Sequence, residues 1–384
     1  MYIRLLASLL LAAAMFVQPQ EVLASALGGL NLWWRFVLPA LLPFFILSEL
    51  LMASGLVQFL GVLLEPLMRP LFRLPGAAAF VVAMGYTSGF PMGAVLTARL
   101  RQAGELTREE GERLVAFTNN PSPGFMFGAV ASGMLGRPAL GVLLASSVYL
   151  ANLVVGFLLR YYRPPDPDVI SRPNTAGLVA QWREVATRQQ AQREALGQVL
   201  GNAVRQSVST VLAVGGFIIF FAVLLRLLVV WRIIPALTQI LGPLVPILSA
   251  PELEALLSGI LEMTLGCQTA VNAFPTLSAQ VAALAFIMGW GGLSVFAQVA
   301  GFSGGTDLRL NAYFSARILH AMLAAGLSQL FLHLVPIPAS ALSLPTLSAA
   351  EFWWQTWRLS SSVGLASFAF LLALGMLARV LRMP

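Results

Sequence analysis

The sequence predicts an all-α polytopic membrane protein, an inverted repeat with about eight spanning helices, two re-entrant hairpins and broken helices. Three observations predict this class. The chain of 384 residues is 58% hydrophobic and 10% charged, whereas soluble globular proteins carry about 25% charged residues. Its apolar stretches are long enough to cross a bilayer. Polar interruptions of these stretches recur in the same order in both halves of the chain.

Eight apolar stretches have the length of a spanning helix. They lie at 3–19, 36–62, 112–134, 138–160, 208–230, 279–302, 311–335 and 361–381. Two others, 77–98 and 252–275, are interrupted near the middle by Gly, Pro and polar residues. We expect these two to be re-entrant hairpins, because backbone without helix is tolerated at that depth only where protein or water satisfies it. The first stretch has the alternative of a cleaved signal peptide, but we expect it to be retained.

The distribution of arginine predicts the topology. Every basic residue is Arg, and 23 of them against 16 acids give a net charge of +7. If both chain ends are cytoplasmic and each hairpin returns to its own side, most Arg residues fall inside, as the positive-inside rule requires. They lie at the ends of apolar stretches rather than in one patch. This pattern is typical of membrane topology, so the lipid bilayer is an expected partner and nucleic acid is not.

The composition changes along the chain predict five segments. The only long polar stretch begins with a Pro-rich run and continues with Gln, Arg, Ala and Glu, which favours a cytoplasmic link between two halves. We expect this link to be a spacer, with a binding role as the alternative. The segments are 1–35 (an N-terminal helix and interfacial segment), 36–160 (first repeat), 161–207 (linker), 208–335 (second repeat) and 336–384 (C-terminal helix).

Four breaks at membrane depth supply the candidate substrate-binding residues. A broken helix leaves free N–H groups at one stump and free C=O groups at the other, and the N-terminal stump attracts anions. The arrangement predicts a site at the bilayer midplane; helix kinks and small-residue packing are the alternative. The candidates are Thr87, Ser88, Gly89, Thr118, Asn119, Asn120, Ser122, Gln268, Gly291, Gly292, Ser294 and Gln298.

Glu262 stands beside the second-half hairpin break and is the candidate coupling or pocket carboxylate. A carboxylate at bilayer depth is costly unless it is paired or faces water. Its alternative role is to cap the N–H groups of the stump. Glu49, after the Pro43 segment of the second apolar stretch, is a weaker candidate of the same kind.

Four further residues are second-tier candidates. Tyr86 precedes the first hairpin break and could stack on an aromatic substrate. Asp307 is expected at the inner rim, where a helix cap is the alternative role. Arg317 and His320 share one helix face and could pair with Asp307 or meet an anion, and Arg317 could instead extend to the membrane interface.

No enzyme, cofactor or metal centre is expected. The sequence lacks a zinc-protease motif, a phosphate loop and a defensible Ser/His/Asp order. The single Cys267 excludes an intrachain disulfide, and two His residues are too few for a metal site of His ligands alone. The only bound ion we expect is a coupling proton or sodium ion.

Four motifs carry a resemblance to a known family. They are Leu38–Leu51, Gly85–Ala94, Leu114–Asn120 and Gly289–Gln298. They resemble the YlbJ (also called SpoVV) sporulation integral membrane proteins, part of the nucleoside-recognition or gate group, which is similar to concentrative nucleoside transporters. The resemblance implies a role in endospore formation, namely moving dipicolinate out of the mother cell across the outer forespore membrane.

Three functional hypotheses follow from the motifs and the resemblance. The first is a transporter of a small anionic metabolite, dipicolinate, working by alternating access; Tyr86, Phe90, Phe117 and Trp290 could stack on its ring. The second is an ion-coupled nucleoside or nucleobase carrier. The third is a spore-envelope assembly protein that transports nothing. A homo-oligomer is also expected.

Overall fold

The described residues of the first half form the helices named α1 to α9 below. The structure is a computed structural model that describes residues 2–163, 195–334 and 358, and these residues form helices and no strand. Trp33–Val37 is a π-helical segment that joins the second and third helices, and the eighth helix is also π-helical. The helices are α1 (Tyr2–Val17), α2 (Pro19–Leu32), α3 (Leu38–Ala53), α4 (Leu56–Phe72), α5 (Ala78–Thr87), α6 (Met92–Gln102), α7 (Arg108–Thr118), α8 (Gly124–Met134) and α9 (Leu140–Leu159).

The described second half repeats this order of elements. One helix, a hairpin of two helices, a broken pair and an unbroken helix follow one another in both halves. The helices are α10 (Leu196–Val230), α11 (Ile233–Leu241), α12 (Ala250–Leu261), α13 (Met263–Ala273), α14 (Leu277–Trp290), α15 (Gly292–Ser303) and α16 (Asn311–Leu334). The inverted orientation of the two halves and the five-segment division stay predictions. Helix α10 begins inside the stretch predicted as linker.

All four predicted breaks are present. The α5–α6 hairpin is interrupted at Ser88–Pro91, and α7 is separated from α8 by Asn119–Pro123. In the second half, Glu262 alone separates α12 from α13, and Gly291 separates α14 from α15. Each break has the residues that end helices, namely Pro, Gly or a polar cap.

The described residues confirm fewer spans than the eight predicted. In the described residues, four helices are long and apolar enough to cross a membrane, α9, α10, α16 and the α14–α15 pair. The pair Ser8–Val17 and Pro19–Arg35, which is bent by 102°, makes a fifth if it counts as one span. The predicted stretch 36–62 is not one helix, because α3 ends at Ala53 and Gly55 takes a left-handed conformation. The stretch 361–381 lies outside the described residues.

Helix α4 is a separate amphipathic element that the sequence analysis merged with α3. Its buried residues are Val57, Leu60, Leu64 and Met68, which recur at helical spacing on one face. This face packs against α5. The helix therefore covers the first hairpin rather than extending the span before it.

Helix α16 joins the two halves. It packs against α14 of its own half and against α7 and α9 of the first half. Small residues line these contacts: Ala151 on α9 and Ala324 on α16 are both fully buried. Small side chains let helix backbones approach closely in a membrane, where dispersion contacts replace the hydrophobic effect between helices.

Two glycines of the first hairpin enclose the end of α7. A Cβ atom added at Gly85 or at Gly93 would overlap the carbonyl oxygen of Thr118, the last residue of α7. Since backbone lies against backbone here, no side chain can move aside. The hairpin therefore fixes the position of the first broken span.

We expect Gly85→Ala to destabilise the folded protein by roughly 1–3 kcal/mol, because an overpacked core must shift backbone. The measurement is the thermal unfolding midpoint of the purified protein in detergent. Gly216→Ala is the matched control, since a Cβ there meets nothing within 4 Å. Equal midpoints for the two variants would show that the close approach is absent.

Candidate functional site

A cavity of about 610 Å³ lies where the four breaks meet. Ser88 and Ser122 line it from the first half, from the hairpin break and the broken span respectively. The second half contributes polar side chains from its own hairpin and broken span. These are Glu262, Thr264, Gln268, Ser294 and Gln298. The rest of the lining is mainly apolar, including Phe90, Leu41 and Val214.

Glu262 is the titratable residue of this cavity. It is the N-cap of α13, and its Oε2 accepts a hydrogen bond of 2.7 Å from the Leu265 N–H. Only 5% of the residue is exposed. The capping role considered from sequence is therefore present, and the carboxylate also faces the cavity. No Arg lines the cavity within the described ranges, so the helix N-terminus is the main positive partner of this carboxylate.

Three buried polar atoms at the cavity have no hydrogen-bond partner among the described residues. They are Ser88 Oγ, Ser294 Oγ and Gln298 Oε1. Each belongs to a residue that is at most 4% exposed. A buried polar group without a hydrogen bond costs about 1–3 kcal/mol, so these atoms are available to a ligand that enters the cavity.

Several predicted candidates do not line the cavity, because their side chains form hydrogen bonds with backbone groups instead. The hydroxyl of Thr87 donates to Ala83 O and that of Thr118 to Leu114 O. Asn119 Oδ1 accepts from Ala94 N at 3.1 Å, and its Nδ2 donates to Val115 O. Of these bonds, the one between Ala94 N and Asn119 Oδ1 connects the hairpin to the first broken span.

The three predicted glycines also lie outside the lining, where breaks approach one another. A Cβ at Gly89 would meet the backbone of Ser122. At Gly291 it would lie 3.3 Å from the ring of Phe90, and at Gly292 it would lie 3.0 Å from Met263 N. Gly291 thus places the second broken span against the first hairpin.

Arg317 caps the stump of α7. Its NH1 donates to Asn119 O at 2.7 Å, and its NH2 donates to Ala116 O at 3.1 Å and to Asn152 Oδ1 at 2.9 Å. Only 1% of the residue is exposed. Arg317 therefore neither pairs with Asp307 nor extends to the interface, and a contact with an anionic substrate stays a prediction. A cation at a helix C-terminus is favourable because the last carbonyls carry partial negative charge.

Asn120, Tyr86 and His320 belong to the network around Arg317. Asn152 Nδ2 donates to Asn120 Oδ1 at 2.5 Å and to Phe117 O at 2.6 Å. His320 Nε2 lies 2.8 Å from Val148 O. The Tyr86 ring lies 5.0 Å from that of Tyr149, whose hydroxyl donates to Tyr86 O. These residues support the Asn119–Pro123 break on the side away from the cavity and do not line the cavity.

The structure places the other stacking candidates apart from one another. Phe90 lines the cavity. Phe117 is fully buried and stacks on Phe72. Trp290 donates its indole N–H to Ile260 O. Of the four aromatic candidates, Phe90 alone reaches the cavity.

Asp307 forms an ion pair with Arg101 at the end of the molecule where Arg99, Arg101, Arg108 and Arg309 lie. We call this the Arg-rich end. The two carboxylate oxygens lie 2.9 and 3.0 Å from Arg101 Nε and NH2. The hydrogen bond from Arg101 holds the pKa of Asp307 below its usual value. Nearby, the fully buried Glu112 accepts from Arg108 at 3.0 Å and from the Arg309 backbone at 3.2 Å. These contacts tie the α15–α16 loop of the second half to α6 and α7 of the first.

Glu49 lies at the same Arg-rich end, and not in the cavity. It forms an ion pair with Arg99 of α6. Within the described residues, no group of three or more His, Cys, Asp or Glu side chains could hold a metal ion.

Sequence reasoning missed two kinds of site residue. Val214 and Ile218 of α10 form part of the cavity wall, yet nothing distinguishes them from lipid-facing residues in the sequence. Asn152 carried a usable signal, because a lone amide in the apolar helix α9 must find a partner. It is the residue that connects Arg317 to the break.

Comparison with known proteins decides the family. The sporulation integral membrane protein YlbJ of Bacillus subtilis (strain 168) is 44% identical over 322 residues, which are 83% of this chain and 79% of the relative. The chain belongs to the YlbJ family. This confirms the resemblance carried by the four motifs.

Two other matches cover only part of this YlbJ-family protein. A family model described as nucleoside recognition, or gate, matches residues 34–159, which include the first hairpin and the first broken span. An uncharacterized protein of Alkalihalophilus pseudofirmus is 27% identical over 130 residues, 34% of this chain and 27% of that protein. No solved structure matches the chain significantly.

We expect Arg317→Gln to lower the free energy of unfolding by about 3 kcal/mol, because charge-assisted hydrogen bonds to buried carbonyls are lost. Arg317→Lys should not restore stability, since one ammonium cannot reproduce the planar fork that reaches three acceptors. Thermal unfolding in detergent measures both. Arg232→Gln, at an exposed arginine, is the control and should leave the midpoint unchanged. A fully stable Arg317→Lys variant would contradict the capping role.

Proposed function

We propose that the protein transports a small anionic metabolite, dipicolinate, across a membrane by alternating access around the central cavity. The observation that carries this proposal is the meeting of four helix breaks around one cavity of about 610 Å³ with three unpartnered polar atoms. Broken helices around a midplane site are the usual architecture of secondary transporters.

The choice of dipicolinate rests on family membership and on chemistry. The relative is named a sporulation integral membrane protein, and we extend a sporulation role to this chain. Dipicolinate is a planar aromatic ring with two carboxylates. Ser88 and Ser294 offer hydroxyl donors to the carboxylates, and Phe90 offers an apolar ring face.

Glu262 imposes a condition on an anionic cargo. Two like charges cannot share a poorly hydrated cavity at low cost. A carboxylate cargo therefore enters with a proton on Glu262, or with a sodium ion beside it. This is the physical basis for the proposed coupling ion.

The ion pairs at the Arg-rich end support a two-state mechanism. Arg101–Asp307 and Glu112–Arg309 join the two halves at this end. The cavity lining instead extends to Gly133 and Met134, at the other end of the broken span α7–α8. We propose that this conformation is closed at the Arg-rich end, and that these pairs separate when the site faces the cytoplasm.

We also propose that the protein lies in the outer forespore membrane as a multi-pass protein with cytoplasmic termini, and that it forms a homo-oligomer.

The direct test is uptake of labelled dipicolinate by proteoliposomes that contain the purified protein. We expect Ser88→Ala and Ser294→Ala to raise KM roughly three- to tenfold, the value of one lost hydrogen bond. Ser147→Ala is the control, since that buried hydroxyl donates to Leu143 O on its own helix. The proposal fails if wild-type protein moves no dipicolinate, or if both cavity variants behave as the control does.

A nucleoside or nucleobase is the second candidate cargo. The nucleoside-recognition model that matches 34–159 favours it, as does a cavity whose charged group is a carboxylate, which suits neutral hydroxylated ligands. A ligand that binds the folded state raises its unfolding midpoint. A thermal-shift panel of nucleosides and dipicolinate therefore separates the two candidates.

We expect Glu262→Gln to fold, because an amide oxygen can still accept from Leu265 N, and to remove the pH dependence of transport. The reason is that a neutral amide neither binds nor releases a proton. The measurement is the initial rate of uptake as a function of pH at fixed cargo concentration. Wild-type and variant rates that change with pH in parallel would remove Glu262 from the coupling site.

A further inference from the structure

A second crevice lies at the Arg-rich end of the molecule, apart from the central cavity. It has a volume of about 580 Å³ and lies between the end of α3, the end of α6 and the first turns of α10. Its polar lining residues are Glu49, Arg99, Asn202, Arg205 and Gln206.

The charges of the crevice suit an anion. Arg99 pairs with Glu49, whose side chain is 18% exposed. Arg205 is exposed, and its NH2 donates to the neutral Asn202 Oδ1 at 2.7 Å. Two guanidinium groups therefore face one carboxylate, which leaves one positive charge uncompensated within the lining. By contrast, the central cavity has no arginine in its lining.

The crevice and the central cavity share one helix seam. Leu41 on α3 and Val214 on α10 line the cavity, while Glu49 and Gln206 of the same two helices line the crevice. Eight residues of helix correspond to about 12 Å. The two spaces are thus separated by about two helical turns along the α3–α10 contact.

The α3–α10 contact between the two spaces contains apolar side chains that close it and polar side chains beside them. Phe45 and Val211 are 2% and 0% exposed and close the seam in this conformation. Ser48 and Ser207 are each 1% exposed, and Ser207 Oγ has no partner within the described residues. An unpartnered buried hydroxyl between two polar spaces is what a path for a polar cargo requires, and it is costly in a contact that is only structural.

We propose that this crevice is the inner vestibule of the transport path, an anion-binding site for the dicarboxylate cargo in which Arg205 and Arg99 bind carboxylate and Glu49 competes for Arg99. The proposal rests on the transport function proposed above and adds the place where an anionic cargo is first bound. It also explains how a cavity with one carboxylate and no arginine in its lining can serve an anion. The positive charge lies at the opening, where it raises the local concentration of cargo.

The vestibule predicts effects of opposite sign for two neighbouring substitutions. Arg205→Gln removes an attractive charge and should weaken binding roughly two- to fivefold, the range of an exposed charge pair. Glu49→Gln removes the competing carboxylate and should tighten binding by a similar factor. A merely structural Glu49–Arg99 pair would give no gain on losing Glu49.

The experiment measures equilibrium binding of labelled dipicolinate to full-length protein in phosphatidylcholine nanodiscs. Arg232→Gln is the matched control, because Arg232 is exposed at the opposite end of α10 and should leave the affinity unchanged. Pyridine-2,6-dicarboxamide, an uncharged analogue of the same shape, should bind all variants equally. Unfolding midpoints confirm that each variant is folded, and the exposed Arg205 keeps the test valid if Glu49→Gln is unstable.

The outcomes separate this inference from the transport function. Unchanged affinity in Arg205→Gln, or weaker binding in Glu49→Gln, overturns the vestibule. So does an effect of Arg205→Gln that appears only when the nanodiscs contain phosphatidylglycerol, since the crevice would then hold a lipid headgroup. Wild-type protein that binds dipicolinate with the expected pattern but moves none in proteoliposomes keeps the crevice as an anion-binding site and refutes transport. Wild-type protein that binds no dipicolinate overturns both.

Discussion

The structure depends on one constraint, which is that every backbone polar group at membrane depth must find a partner inside the protein. An intact helix meets this requirement by itself, whereas a broken helix exposes N–H and C=O groups at each stump. The chain satisfies the two kinds of stump with opposite charges. Arg317 binds the carbonyl stump of α7, and Glu262 caps the N–H stump of α13. Both follow from the partial charges of helix ends.

The same constraint separates scaffold from site. In the first half, Thr118 and Asn119 are occupied by backbone groups, and Arg317 and Asn152 hold the break from behind. The unpartnered groups, such as Ser294 Oγ, lie instead on the cavity side. In such a site, hydrogen bonds fix the broken helix on the side away from the cavity, whereas polar atoms on the cavity side have no partner. This arrangement favours selective binding of a polar ligand.

The sequence predicted the breaks and the cavity carboxylate because both carry local signals. Pro91, Gly291 and Glu262 interrupt runs that are otherwise apolar, and such residues have few structural uses at that depth. The division of α3 from α4 escaped prediction, since Ser54 and Gly55 are a weak signal within a long apolar run. Hydropathy predicted eight spans, whereas four helices of the described residues have the length and apolarity of a span, or five with the bent α1–α2 pair.

Contacts between the halves were out of reach of the sequence. The partners of Arg317 are mainly carbonyl oxygens, which every residue possesses, so no residue type marks them. The cavity wall from α10 is apolar, as is the surface that faces lipid. What could have been inferred is that Asn152, a lone amide in an apolar helix, has a buried partner.

The cap on the first broken span comes from the other half of the chain. Arg317 stands in the last described long helix, about two hundred residues after the stump that it binds. During synthesis the α7 stump therefore reaches the bilayer long before its guanidinium partner has been made. Until Arg317 has been made, the carbonyl oxygens of Asn119 and Ala116 lack the hydrogen bonds that it donates to them. A chain that ended before α16 would therefore leave the end of α7 without its cap.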